Sequence, residues 1–245
     1  MLKVENLKRH FGGVKAVDGA SFDIERGKIT ALIGPNGSGK TTIFNLISGV
    51  LKAESGKILF EDLDITNKSP EKIANMGVSR LFQQSRLFSN LTVRENLLLA
   101  FDNEDTKFFK NILGLNKVTK DKEEKIKDIL KTVKMERFLN RTSRELSFGQ
   151  KRLVEIGRAM LKPHKLLILD EPVAGVTPSL RDEIARILKE LRKQGETIML
   201  IEHDMNFTLK IADEVVVLDE GKVIVEDKPS RIRTNKKVLE AYLGD

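Results

Sequence analysis

The sequence predicts an α/β fold: a buried, mostly parallel sheet covered by helices, with a small antiparallel β subdomain and an inserted α-helical subdomain. Three observations carry this. The short apolar runs ITALI (29–33), KLLILD (165–170), TIMLIE (197–202) and EVVVLD (214–219) have the unbroken hydrophobicity of strands buried on both faces. Amphipathic stretches lie between them; in Ser179–Gly195 the residues Leu180, Ile184, Ile187, Leu188 and Leu191 fall on one helical face. Such alternation marks a parallel sheet. The early segments instead alternate apolar and polar residues, as strands of an antiparallel sheet do.

Taken in chain order, LKVENLKRHF, ASFDIERGK and GKILFEDLDI (56–65) predict the small antiparallel sheet. ITALI is the first buried strand; a Gly-rich loop follows, and then IFNLISG (43–49) with helical spacing. From about Ser85 to Met160 no strand-like run occurs, and Ile126, Ile129, Leu130 and Val133 keep helical spacing. Residues 85–160 therefore read as a helical subdomain inserted into an α/β core formed by 1–84 and 161–245. The helix over Ser179–Gly195 has its natural stop at Gly195.

The chain has 245 residues, enough for one large domain, and its 40% hydrophobic and 32% charged residues are an ordinary globular balance. No apolar run approaches the ~18 residues of a membrane span. The start, MLKVENLKRHF, lacks a signal-peptide core. There is no Cys, so disulfides and thiolate metal sites are excluded. These features predict a cytoplasmic protein. The net charge is +7, but Lys and Arg are spread through the chain and the densest stretch, Thr119–Asp128, mixes both signs. With no Trp and only Tyr242 as tyrosine, a base-stacking platform is poorly supplied, and no nucleic-acid partner is expected.

The residues that bear chemistry begin with GPNGSGKTT (34–42), which meets the pattern G-x-x-x-x-G-K-[ST] between a strand and a helix. Gly34, Gly37 and Gly39 let successive N–H groups converge on one anion, and the helix starting near Lys40 adds its positive end. Pro35, Asn36, Ser38 and Thr42 complete the loop. Lys40 supplies a cation for β- and γ-phosphates, and the Thr41 hydroxyl suits Mg²⁺. In LLILDEP (166–172) an apolar strand delivers Asp170 and Glu171 at its carboxyl end, where α/β sheets bind ligands. Asp170 suits Mg²⁺, and Glu171 a general base for the attacking water. His203, after IMLI, reaches a γ-phosphate from a strand end; His10 and His164 read as surface residues. Gln83, after VSRLF, has an amide fitted to Mg²⁺ or to the attacking water. In LSFGQ (146–150), Ser147 reads as a helix N-cap, and the N-terminus around Ser147, Gly149 and Gln150 is a second place for an anion.

Together these residues resemble the ATP-binding cassette (ABC) ATPases. The phosphate loop GPNGSGKTT, the Gln of RLFQ, the signature LSFGQ, the acidic strand LLILDEP and the switch His of IEHDM occur in that family's order, over essentially the whole chain. The resemblance implies a P-loop NTPase (RecA-like) core, ATP and Mg²⁺ as cofactors, and ATP hydrolysis coupled to transport. It implies that Phe11 stacks on adenine, with Ala16 nearby. It also implies that two cassettes sandwich ATP, Ser147 and Gly149 completing the partner's site. The further partners are two membrane-spanning permease subunits, and through them an extracytoplasmic substrate-binding protein. The chain would then be peripheral on the cytoplasmic face of the cell membrane. A finer similarity, in GVSRLFQQSRLFSNLTVRENLLLA, ELSFGQKRLVEIGRAM and VLEAYLGD, is to the LivG-type ATPases of branched-chain amino-acid importers; urea and amide importer cassettes share much of it. Thr177, in AGVT (174–177), departs from the Asp or Asn of that family's loop.

Other classes fit less well. DNA-repair ABC ATPases insert long coiled coils and translation factors carry two cassettes; neither feature is present. A P-loop GTPase needs N-K-x-D, whereas the NK pairs here read NKSP, NKVT and NKKV. A scaffold with a dead site would not need Lys40, Asp170, Glu171 and His203 together.

Overall fold

The structure, a computed structural model, describes residues 1–81, 87–101, 120–161 and 163–243. The chain condenses into two compact units. One comprises Met1–Arg80, His164–Glu171 and Leu188–Asp245, and the other Leu81–Pro163 and Pro172–Ile187.

The first unit contains the predicted antiparallel sheet. Strands β1 (Leu2–Phe11), β2 (Val14–Ile24), β4 (Ser55–Phe60) and β5 (Leu63–Asp64) run in the order β2-β1-β4-β5. Leu2, Val4 and Leu7 of β1 are buried, so the buried face moves from even to odd positions. Asn6 sits between, with φ of 47°, where the β1–β2 register shifts between Val4 and Leu7; such a bulge is what lets one strand change faces. The β4–β5 turn, Glu61 and Asp62, has φ of 51° and 62°. Two-residue hairpins require this left-handed pair, and Arg26 ties Glu61 at 2.7 Å.

The second sheet has six strands in the order β10-β9-β3-β8-β7-β6. They are β3 (Ile29–Ile33), β6 (Val78–Leu81), β7 (Leu166–Asp170), β8 (Ile198–Ile201), β9 (Glu214–Asp219) and β10 (Lys222–Asp227). The pairs β3–β8, β3–β9 and β7–β8 are parallel, and β9–β10 is an antiparallel hairpin. The residues of β3, β7 and β8 are buried without exception, as their unbroken hydrophobicity requires. Strand β6 is not one of the unbroken apolar runs, since Ser79 and Arg80 interrupt it. In the fold Arg80 stacks 3.9 Å from the Phe44 ring centre and donates to Asn45 Oδ1 at 3.0 Å. Phe44, Ile43 and Ile47, from α1 (Lys40–Ile47), pack with Leu32, Ile168, Met199 and Val216 in one core. Shorter helices α2 (Pro70–Asn75), α7 (Met205–Ile211), α8 (Pro229–Ile232) and α9 (Lys236–Leu243) complete this unit.

The second unit is helical among its described residues, with α3 (Val93–Leu98), α4 (Lys120–Thr132), α5 (Phe148–Leu161) and the part of α6 (Pro178–Lys193) up to Ile187. Thr92 and Glu95 form a capping box on α3. Gly157 of α5 allows α4 to approach: a Cβ there would lie 2.8 Å from Ile129 Cγ2. Asn96, fully buried, is the polar hub. Its Nδ2 donates to the carbonyls of Phe88, Leu91 and Thr92 and to Ser143 Oγ at 2.9–3.2 Å, and its Oδ1 accepts the Phe88 N–H at 2.7 Å. No helix among the described residues is long and apolar enough to cross a membrane.

Asn96→Ala removes five hydrogen bonds and leaves the Phe88 N–H and the buried Ser143 hydroxyl without this partner, while the Phe88, Leu91 and Thr92 carbonyls keep backbone donors; a buried polar group deprived of its partner costs about 1–3 kcal/mol. The expected outcome is a loss of about 3 kcal/mol of stability, read as a lowered denaturation midpoint.

Candidate functional site

The site is built where β3 turns into α1. Two glycines make the turn geometrically possible. Gly39 has φ of 104°, and a Cβ there would lie 2.1 Å from the Ala16 carbonyl oxygen. A Cβ on Gly34 would lie 2.0 Å from that of Leu218. The loop is thus pressed onto β2 and β9 with backbone alone. From the β9–β10 turn, Gly221 donates its N–H to the Ser38 carbonyl at 3.0 Å. No side chain caps α1, so the first-turn N–H groups that a cap would satisfy are left for a ligand.

Lys40 lies inside the loop, 7% exposed, with Nζ donating to the carbonyls of Gly34 at 2.9 Å and Pro35 at 2.8 Å. Burial lowers its pKa, and the carboxylates of Glu171 and Asp170 oppose that shift. A cleft of about 720 Å³ opens over the loop, within the usual range for small-molecule sites. Ala16, Asn36, Gly37, Gly39, Lys40, Thr41, Thr42 and Glu171 line it, together with Gly13, Val14, Lys15, Asp18, Glu220 and Lys222. A Cβ on Gly37 would meet nothing within 4 Å, so this side of the loop is open to an incoming group.

The acidic pair comes from β7. Asp170 is 5% exposed and is paired in register with Ile201 of β8. Glu171 follows with φ of 46°, and its N–H donates to the Ile201 carbonyl at 2.8 Å. A left-handed conformation at a residue other than Gly costs about 1–3 kcal/mol and persists where the surroundings impose it, often at functional sites. His203, just beyond β8, brings Nδ1 within 3.5 Å of Glu171 Oε1. Among the described residues no group of three or more His, Asp or Glu forms a metal cage. The donors present, the Thr41 hydroxyl and the Asp170 carboxylate beside a phosphate cradle, fit Mg²⁺ shared with phosphate oxygens.

Most of the residues expected from the sequence therefore converge. Gly34, Pro35 and Ser38 shape the loop from behind, and Asp170 and His203 adjoin Glu171. Phe11 ends β1 outside the cleft lining, 43% exposed, with the Arg9 guanidinium 4.8 Å from its ring centre. Gln83 lies outside the described residues. Ser147, Gly149 and Gln150 belong to the second unit. There Ser147 N–H donates to Gln150 Oε1 at 2.9 Å, and Gln150 N–H donates to Ser147 Oγ at 3.3 Å, a reciprocal cap on α5. Gly149 has a packing reason as well: a Cβ would fall 2.1 Å from Leu180 Cδ2. Thr177 accepts the Arg181 N–H at 2.9 Å, so it opens the first turn of α6, where Thr is a favoured residue.

Sequence reasoning missed Lys15, Asp18, Glu220 and Lys222, which reach the cleft from β2 and the β9–β10 hairpin. The turn itself was legible in Gly221; its direction was not. Tyr242 of α9 was also missed. Burial raises its hydroxyl to about 12, against the lowering effect of the Gly34 backbone N–H beside it. One expectation is corrected. His164 is not a surface residue: its side chain is 6% exposed and its Nε2 lies 3.0 Å from Glu196 Oε2, because it precedes β7 where the chain turns inward. His10 is partly sheltered, within 3.7 Å of Asp18 and 3.5 Å of Glu54.

Comparison with known proteins gives one family. Residues 17–174 match the profile of the family described as "ABC transporter". A probable branched-chain amino acid transport ATP-binding protein LivG of Archaeoglobus fulgidus is 40% identical over 247 residues, covering 100% of this chain and 95% of that protein. The high-affinity branched-chain amino acid transport ATP-binding protein LivG of Escherichia coli K12 is 36% identical over 250 residues, covering 100% and 98%. Among solved structures, the ADP conformation of an ATP-binding cassette of an ABC transporter superposes with a TM-score of 0.89 at 37% identity, over 100% of this chain and 99% of that one. A dimeric bacterial ABC transporter cassette shares the fold, with a TM-score of 0.78 at 24% identity over 94% and 99%.

The two glycines of the loop separate strain from collision. Gly39→Ala meets backbone at 2.1 Å and is expected to lose nucleotide binding and about 2–3 kcal/mol of stability. Gly37→Ala, with φ of 81° and open space, should cost only about 1 kcal/mol. Thermal unfolding and nucleotide titration of both variants check this.

Proposed function

The chain belongs to the ABC transporter family, and on that footing we propose that it is the ATP-hydrolysing subunit of an importer for branched-chain amino acids. One observation carries the chemistry: Lys40 and Glu171 line the same cleft, above a loop whose N–H groups are left uncapped. The substrate class rests on the similarity to LivG proteins along the full chain.

In this reading the loop N–H groups and Lys40 bind the triphosphate, and Phe11 turns onto the adenine beside Ala16. Thr41 and Asp170, with Gln83, hold Mg²⁺, which supplies charge neutralisation at the phosphates. Glu171, which lines the cleft, turns from His203 to accept a proton from water. His203 holds the terminal phosphate in line. Lys40 gives up its loop carbonyls for phosphate oxygens, a stronger, charge-assisted pairing.

The protein then works as a dimer with a like cassette. The N-terminus of α5, at Ser147, Gly149 and Gln150, completes the partner's site as a second anion-binding helix end. Two such faces can satisfy each other only across a two-fold interface. Closure and reopening drive two permease subunits, which place the cassette on the cytoplasmic face of the membrane. An extracytoplasmic binding protein delivers the substrate to them. The subdomain over 85–160 is the surface proposed to face the permeases.

Glu171→Gln keeps the shape of the side chain and removes its basicity, so turnover should fall by about 10² or more while ATP still binds. In proteoliposomes with both permease subunits and the binding protein, wild-type turnover should rise with leucine, isoleucine or valine. Near-normal hydrolysis by the variant would overturn the assignment of the base. A wild-type assembly indifferent to these amino acids would overturn the substrate class.

A further inference from the structure

Glu202 is a carboxylate at this edge of the sheet to which the hydrolytic reading gives no role. It follows the apolar strand β8 and is 0% exposed. Burying a carboxylate costs several kcal/mol unless its surroundings compensate, and a well-packed apolar residue would serve the fold as well or better. Its backbone is fixed, since its N–H donates to the Leu32 carbonyl of β3 at 3.4 Å, two residues before the phosphate loop. Its side chain is fixed as well, with Oε2 accepting the His203 backbone N–H at 3.3 Å.

That same Oε2 lies 3.9 Å from His203 Nδ1. Nδ1 therefore has two carboxylates in reach, Glu202 and, at 3.5 Å, Glu171. They are not equivalent. Glu171 lines the cleft and must be turned to water when it acts as base. An acceptor that has to leave cannot hold the imidazole during the reaction. Glu202, buried and tied at both ends, can. The imidazole is half-exposed and has room to swing; bringing Nδ1 to bonding distance of Oε2 takes a movement of about 1 Å. Nε2, on the opposite side of the ring, would then be aimed away from the sheet.

We propose that Glu202 is a positioning residue for hydrolysis: when Glu171 turns to water it takes the Nδ1–H of His203, whose ring draws a second proton from solvent, and so it holds an imidazolium whose Nε2–H is aimed at the terminal phosphate. This rests on the hydrolytic reading of the site. A carboxylate behind a working imidazole fixes the ring's orientation and stabilises the imidazolium, and the phosphate oxygens accept its Nε2–H as a charge-assisted bond.

The test is a double-mutant cycle in the assembled transporter, with wild type, Glu202→Gln, His203→Ala and the double variant. Glu202→Gln should lower kcat about tenfold, leave KM for Mg·ATP within about twofold, and have no further effect when His203 is already Ala. An equal loss in both backgrounds, or none in either, would overturn the proposal, because a structural carboxylate acts independently of the ring. Wild-type turnover in His203→Ala alone would overturn the role given to His203 and this inference with it, and it is seen without touching Glu202. A second measurement needs no Glu202 variant. In the Glu171→Gln protein with Mg·ATP, ¹⁵N chemical shifts of the His203 ring should show a protonated Nδ1; a bare Nδ1 would equally overturn the proposal.

Discussion

The site depends on the pairing of β8 in parallel register with both of its neighbours. Leu32 of β3 and Asp170 of β7 both face Ile201 across their ladders. Beyond the last pairs, the Ile201 carbonyl accepts the Glu171 N–H and the Leu32 carbonyl accepts the Glu202 N–H. One strand thus sets the height at which the phosphate loop, the acidic pair and the histidine leave the sheet. Parallel hydrogen bonds are evenly spaced and slanted, so a slip of one residue would reverse every side chain. The complete burial of β3, β7 and β8 resists that slip.

The loop between β3 and α1 is held differently from the helix ends elsewhere in the chain. The loop is braced by backbone against backbone, through Gly34 on Leu218, Gly39 on Ala16 and Gly221 on Ser38. These braces use backbone atoms, and no side chain caps α1 in competition for its first-turn N–H groups. Other ends are satisfied by side chains, through Ser69 on α2 and Asp204 on α7 in the first unit and through Asn96 and the Ser147–Gln150 cap in the second. The two solutions answer different demands, since a ligand must reach the uncapped start of α1 whereas the capped ends are satisfied from within the chain.

What the sequence made legible was local. The phosphate loop, the acidic strand end and the α6 stripe each declare themselves within a dozen residues, because their chemistry is set by spacing alone. What it hid depends on distant neighbours. Arg80 interrupts the apolar pattern of β6, and Phe44 and Asn45, which accommodate it, come from α1. His164 looked exposed until Glu196 was brought beside it. Glu202 stood in plain view in IEHDM, yet only the sheet around it shows that it is buried. Gly149 read as part of an anion site, and Leu180, some 30 residues on, supplies its second reason.

The left-handed backbone at Glu171 carries a further consequence. Glycine or asparagine would adopt that geometry more comfortably, so the fold and the chemistry prefer different residues at one position. Selection for thermal endurance alone would drift this site toward glycine. On the role proposed for Glu171, the glutamate endures only while turnover is under selection, and its identity in a descendant of this chain would report whether that descendant still hydrolyses.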